Sequence, residues 1–121
     1  MNEHIQVKRC SNLEQSRYNK MYGNIVRINR SDYQIIWCME IYINRQQMHG
    51  LCDVSDKIIY IDVTNELEET LLHEIIHAEF NEAGLKQHDK WDAGLEEIIA
   101  ETISRGLTNI FKIRSKHGKK R

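Results

Sequence analysis

The spacing of apolar residues changes period once along this chain, near residue 62. Before that point the pattern is that of strands. Asn24 to Asn29 alternates Ile25, Arg27 and Asn29 against Val26, Ile28 and Arg30, and Tyr33 to Ile43 is a long run rich in Ile, Trp and Tyr. Asn44 to Met48 breaks the pattern as a turn, His49 to Val54 reads as a short strand, and Ser55-Asp56-Lys57 as a tight turn. Ile58 to Ile61 is β-branched and aromatic, a further strand ending at Asp62. Strands this close in sequence favour antiparallel pairing. After Asp62, Leu67, Leu71, Ile75 and Ala78 recur at helical spacing, with Leu72 and Ile76 beside them. Thr64 or Asn65 is placed to cap this helix, which should run to about Phe80 and leave through Gly84. A second helix spans about Trp91 to Ile110, with Leu95, Ile98, Ile99, Thr102, Ile103 and Ile110 on one face. Residues 1–22 are ambiguous, although Asn12 to Tyr22 suits a short polar helix capped by Ser11 or Asn12. Strands first and helices after imply an α+β domain: a small antiparallel or mixed sheet followed by two helices.

The length of 121 residues suits one domain, and 40% hydrophobic with 29% charged residues is ordinary for a globular protein. No apolar run reaches the length of a membrane span, and the start MNEHIQVKRC lacks a signal-peptide pattern, so a cytoplasmic protein is expected. Cys10, Cys38 and Cys52 have no paired spacing and read as reduced residues rather than a disulfide framework. The net charge of −1 conceals an asymmetry. Residues 112–121 carry six Lys and Arg and no acid, which leaves 11 of the 17 basic residues against 18 acidic ones in 1–111, a balance of −7. The domain is therefore assigned to 1–111 and the rest to a basic tail. That tail is the only feature suited to nucleic acid, and six basic residues alone specify no partner.

The candidate chemistry lies in the first long helix. Leu71-Leu-His-Glu-Ile-Ile-His-Ala78 contains His73-Glu74-x-x-His77. Residues i and i+4 share a helix face, so both imidazoles can meet one metal ion. Glu74, one position round, can reach a metal-bound water without itself being a ligand. Leu71, Leu72, Ile75, Ile76 and Ala78 make most of the circumference apolar, the signature of a buried helix. Two histidines and a glutamate there are costly unless something satisfies them, and a metal does so directly. A catalytic zinc takes three protein ligands and keeps one open position. Candidates for the third are His88, Glu96, Glu97 and Glu101. Glu97, twenty residues after His77, is preferred, with Glu96 and His88 as alternatives. Glu97 and Glu101 share a face roughly opposite the Leu95/Ile98 stripe, and Ala93, Ala100 and Ser104 there allow close approach to the metal helix. Glu101 would then accept a hydrogen bond from the second nitrogen of a ligand histidine.

His73-Glu-x-x-His77 followed by Glu97-x-x-Ala100-Glu101 resembles the gluzincin metallopeptidases. Their third ligand is a Glu on the following helix, often with a second acid four residues on. Within that group the stretch from Gly50 to Leu107 looks most like the short ImmA/IrrE-type and phage- or prophage-encoded peptidases. The resemblance implies a minimal zincin-like fold and one Zn²⁺ per chain held by His73, His77 and Glu97, with Glu74 as general base. It implies hydrolysis of peptide bonds in an intracellular protein substrate, and the strand Lys57–Asp62 as the edge that binds an extended peptide. Larger gluzincins supply a downstream His or Tyr for the oxyanion. Here only His117 in the tail follows Glu101, which leaves His88 or Tyr60 to assist the metal. A contrasting expectation is a zinc-stabilised binding or regulatory module without turnover. His4 and His49 are read as structural or exposed, and Trp37, Trp91, Tyr42 and Phe80 as core or core-edge.

Overall fold

A computed structural model describes residues 4–87 and 89–110. His88, His117 and the basic segment 112–121 lie outside them. The described residues form an α+β fold of one mixed sheet and three α-helices. The strands are β1 (Ile5–Arg9), β2 (Ile25–Ile28), β3 (Ser31–Ile43), β4 (Gln46–Met48), β5 (Gly50–Asp53) and β6 (Ile58–Asp62). The helices are α1 (Asn12–Tyr22), α2 (Leu67–Glu82) and α3 (Ala93–Ile110). No described helix is long and apolar enough to cross a membrane.

β3 is the axis of the sheet. Its first part pairs antiparallel with β2 and its last part with β1, while β6 and β4 occupy the other side. The pairing of β3 with β6 is parallel, which corrects the antiparallel expectation for these strands. The cause is the path of the chain. Asn44 and Arg45 both take positive φ, 52° and 72°, the twist of a tight hairpin, and send β4 back antiparallel along β3. The chain bends at His49, and β5 continues in the same direction but one strand-width away. The next turn returns β6 into that gap, parallel to β3 and antiparallel to β5. The order is therefore β1-β3-β6-β5, and both sides of β6 are paired. Lys57–Asp62 accordingly cannot receive a peptide by strand addition. That edge belongs to β5.

One face of the sheet carries the main core. Tyr33, Ile35, Trp37, Ile59 and Ile61 pack there with Leu71 and Ala78 of α2. Ser11 caps α1 by accepting from the Glu14 backbone N–H, and the Glu14 carboxylate bonds back to Ser11 N–H. α1 also closes the break between β1 and β2 along β3. Gln15 Oε1 accepts from Trp37 N–H at 3.1 Å and its Nε2 donates to Trp37 C=O, replacing a strand's backbone with an amide side chain. Trp37, wholly buried, donates its indole N–H to Asn19 at 2.9 Å. On the opposite face Ile36, Cys38 and Ile41 form a smaller cluster with Leu51, Ile58 and Tyr60. Cys10 and Cys38 are buried, and none of the three cysteines is in a disulfide.

Glu82 fixes the C-terminal end of α2 over the sheet. Its carboxylate accepts from Lys57 Nζ at 2.7 Å, Tyr33 Oη at 2.7 Å and Ser31 Oγ at 2.9 Å. A glutamate at a helix C-terminus opposes the helix dipole, so these donors compensate an otherwise unfavourable placement. Led by the bond from Lys57, they hold its pKa at about 2, below the ordinary 4.5. A depressed carboxylate pKa adds stability above the ordinary value, and this is lost as pH falls through the folded-state value. Glu82→Gln is therefore expected to lower the urea midpoint at pH 7 and to approach wild type as pH falls from about 4.5 towards 2. A deficit independent of pH would show that the carboxylate's charge is not what anchors the helix end.

Candidate metal centre

α2 lies across the sheet so that Leu71, Glu74 and Ala78 point inward. His73 and His77 emerge on the adjoining side, towards α3. α3 starts at Asp92, whose Oδ1 accepts from the backbone N–H of Gly94 at 2.8 Å and of Leu95 at 3.3 Å. It meets α2 through its small side chains. Ala100 and Ser104 are fully buried, whereas Leu95, Ile98 and Ile103 face outward. The apolar stripe recognised in the sequence is thus not the packing face. The small-residue face is, and it brings the acids of α3 against the histidines of α2.

Three ligand atoms converge there. His73 Nε2 lies 3.1 Å from His77 Nε2 and 3.2 Å from Glu97 Oε2, and His77 Nε2 lies 2.9 Å from Glu97 Oε1. A tetrahedral ion with bonds of about 2.0–2.2 Å would separate its ligands by roughly 3.3 Å, close to this spacing. The donor chemistry agrees, since two imidazole nitrogens and a carboxylate present lone pairs that a cation would satisfy together. His73, His77 and Glu97 are therefore a group able to hold a metal ion.

The remaining predicted residues divide. Glu96 is not a third ligand. It is buried and its Oε2 contacts His77 Nδ1, the nitrogen turned away from the cluster. A carboxylate at Nδ1 holds the proton there and leaves Nε2 as the lone-pair donor. The hydrogen bond to a ligand histidine expected of Glu101 is thus made by Glu96, while Glu101 accepts from Arg105 at 2.9 Å. Tyr60 sits in the apolar cluster on the sheet face away from the helices and does not approach the group. The alternative ligand His88 is outside the described residues.

Glu74 is only 8% exposed, and its side chain lines the hollows beside the ligand group, with no hydrogen bond or ion pair among the described residues. Burial pushes its pKa up to about 7; the neighbouring His77 opposes this and Glu97 adds to it. Gly50 at the start of β5 makes this placement possible. A Cβ on Gly50 would lie 2.7 Å from Thr70 Cγ2 and 2.9 Å from Glu74 Cγ. Gly50 therefore brings the edge strand into contact with the helix bearing Glu74.

Two hollows meet at this group. The larger, about 470 Å³, runs along the start of α2 and the middle of α3 and includes His49, which sequence reasoning had set aside. The smaller, about 230 Å³, runs along β5. His73, Glu74 and Glu97 line both. Compared with models of known families, with curated proteins and with solved structures, the chain matches none.

Two outcomes follow from this geometry. Replacing Glu96 by Ala removes the group that orients His77 and should weaken divalent metal binding about 10–100-fold by chelator competition. An unchanged affinity would show that Glu96 is incidental. Gly50→Ala should cost about 1–3 kcal/mol in denaturant unfolding, because the methyl displaces Thr70 and Glu74 from a packed contact. A neutral result would place the strand farther from the helix than the structure does.

Proposed function

We propose that the protein is a zinc-dependent endopeptidase that hydrolyses peptide bonds of an intracellular protein substrate. The observation that carries this reading is the pairing of a three-atom ligand group with one mostly buried carboxylate, Glu74, that lines the hollows beside it and has no hydrogen-bond partner among the described residues. Structural burial alone gives no reason to keep an unpartnered carboxylate beside two imidazoles. A general base beside a metal site needs that arrangement. The resemblance to gluzincins supports the same assignment.

Zinc, when bound, would supply the Lewis acid that polarises the scissile carbonyl and acidifies the attacking water. The rest is done by the chain. His73 and His77 act as neutral ligands, and Glu96 holds the tautomer of His77. Glu97 supplies the anionic ligand from α3. Glu74 takes the proton from water as its oxygen bonds to the carbonyl carbon. The C–N bond then breaks, and Glu74 delivers that proton to the departing amine nitrogen. The open side of β5 offers the backbone N–H and C=O of Gly50 to an extended peptide. The alternation of an antiparallel pair in which His49 C=O bonds Asp62 N–H turns them away from β6.

The test uses the full chain purified without chelator. Wild type should hold about one zinc ion per chain by elemental analysis, as a single closed ligand set implies. Glu97→Gln should lose most of it. Glu74→Gln should keep the zinc and lose cleavage of a denatured protein substrate by about a hundredfold or more. Cleavage surviving in that variant would remove Glu74 from the mechanism. Zinc present with no cleavage in wild type would favour a zinc-stabilised binding module, and no zinc at all would end both readings.

A further inference from the structure

The two hollows that meet at the ligand group differ in chemistry. Resting on the peptidase reading, we propose that the cleft selects extended peptides bearing a Lys or Arg on one side of the scissile bond and an aliphatic residue on the other.

The smaller hollow is walled by Ile43, Leu51, Cys52 and Val54, which suit an aliphatic side chain. The larger is walled by Glu66, Glu69, Glu101 and Arg105. Arg105 lies 2.9 Å from Glu101 and 3.7 Å from Glu69, so one guanidinium pairs with two of the three carboxylates and leaves Glu66. Glu66 makes no capping hydrogen bond despite standing at the N-cap of α2, and among the described residues its carboxylate forms no ion pair. The start of α2 contributes an opposing partial positive charge of about half a unit. That is too small to reverse an excess of two full negative charges. The acidic wall also continues outward. A neighbouring depression of about 340 Å³ shares Glu66 and Glu69 and adds Glu68.

The acids alone would specify nothing. What ties them to a ligand is that the hollow they line opens onto Glu74, whose side chain is more than nine-tenths buried, has no hydrogen-bond partner among the described residues and also lines the aliphatic hollow. A peptide lying across that point would place one neighbouring side chain in each hollow. Glu66 further holds a left-handed backbone, φ 45°, which costs a non-glycine residue energy and turns the chain there into the helix.

Two measurements test this. Zinc-loaded full-length protein is incubated with acetylated, amidated decapeptides randomised at the four central positions, and cleavage sites are read by mass spectrometry. Zinc-loaded Glu74→Gln is titrated by fluorescence anisotropy with a labelled peptide carrying one Lys two residues from a Leu, in both orders, and with the Glu-for-Lys counterparts. The Lys peptide should bind about tenfold more tightly in one order, as a few partly screened charge pairs would give, and this margin should shrink with salt. Glu66→Lys, at an exposed position, should remove or reverse the charge preference while leaving the aliphatic one. Val54→Asp should do the converse. Cleavage without charge preference, unaltered by Glu66→Lys, would overturn this inference and leave the peptidase reading standing. Charge-selective binding with no cleavage by wild type would do the opposite. Indifference to charge in both measurements would overturn the inference.

Discussion

The constraint on which this molecule turns is the burial of Glu74. A carboxylate largely withdrawn from water is disfavoured in its charged form, by about 1.4 kcal/mol for each unit by which its pKa rises. The protein accepts this on the helix that also supplies much of its core. Leu71 and Ala78 pack on the sheet, and Glu74 lies between them in sequence and on the same inward side. The apolar packing that positions the carboxylate is thus the packing that holds the domain together. Any repacking that relieved Glu74 would also loosen Leu71 and Ala78.

The sheet topology converts that buried group into an accessible one. β6 fills the gap between β3 and β5, which leaves β5 as the strand at the sheet margin, and Gly50 lets β5 close on α2 directly at Glu74. A larger residue would hold the edge away and open the floor of the cleft. A different strand order would bury the edge. The hollow along β5 therefore depends on a hairpin of positive-φ residues at Asn44 and Arg45 that is far from the ligand group in sequence. At the other end of α2, Glu82 with Lys57, Tyr33 and Ser31 fixes where the helix lies over the sheet.

Much of this was legible in the sequence, for identifiable reasons. α2 announces itself by its 3.6-residue period, and β3 and β6 by β-branched and aromatic runs, because their side chains meet the core. β1 was not recognised because only Val7 of Ile5–Arg9 is partly buried, at the edge of the smaller cluster, so the strand shows little apolar pattern. β4, Gln46–Met48, is equally polar and short. The parallel insertion of β6 is a non-local pairing that local pattern does not encode. The pair of histidines with Glu97 was readable because i and i+4 spacing fixes a face. The hydrogen bond to a ligand histidine expected of Glu101 is made by Glu96 because the sequence does not fix how α3 is rotated about its axis. Ala100 and Ser104 make the contact with α2 that their small size suggested, but small side chains do not fix which neighbouring acid turns to the histidine.

That rotation has an energetic consequence. α3 packs on α2 through small side chains that contribute little apolar area, roughly 25 cal/mol for each Å² buried, and its larger apolar residues stay exposed. What remains across the interface is polar: Glu96 against His77, Glu97 against both histidines, and Arg105 towards Glu69. The lone pairs at the centre of this set repel one another unless a proton or a cation lies among them. On the zinc reading, the ion does more than chemistry. It replaces that repulsion with bonds from both helices and so joins metal binding to the docking of α3. A small domain can then hold its third ligand on a helix with little hydrophobic attachment, because the attachment and the ligation are one interaction.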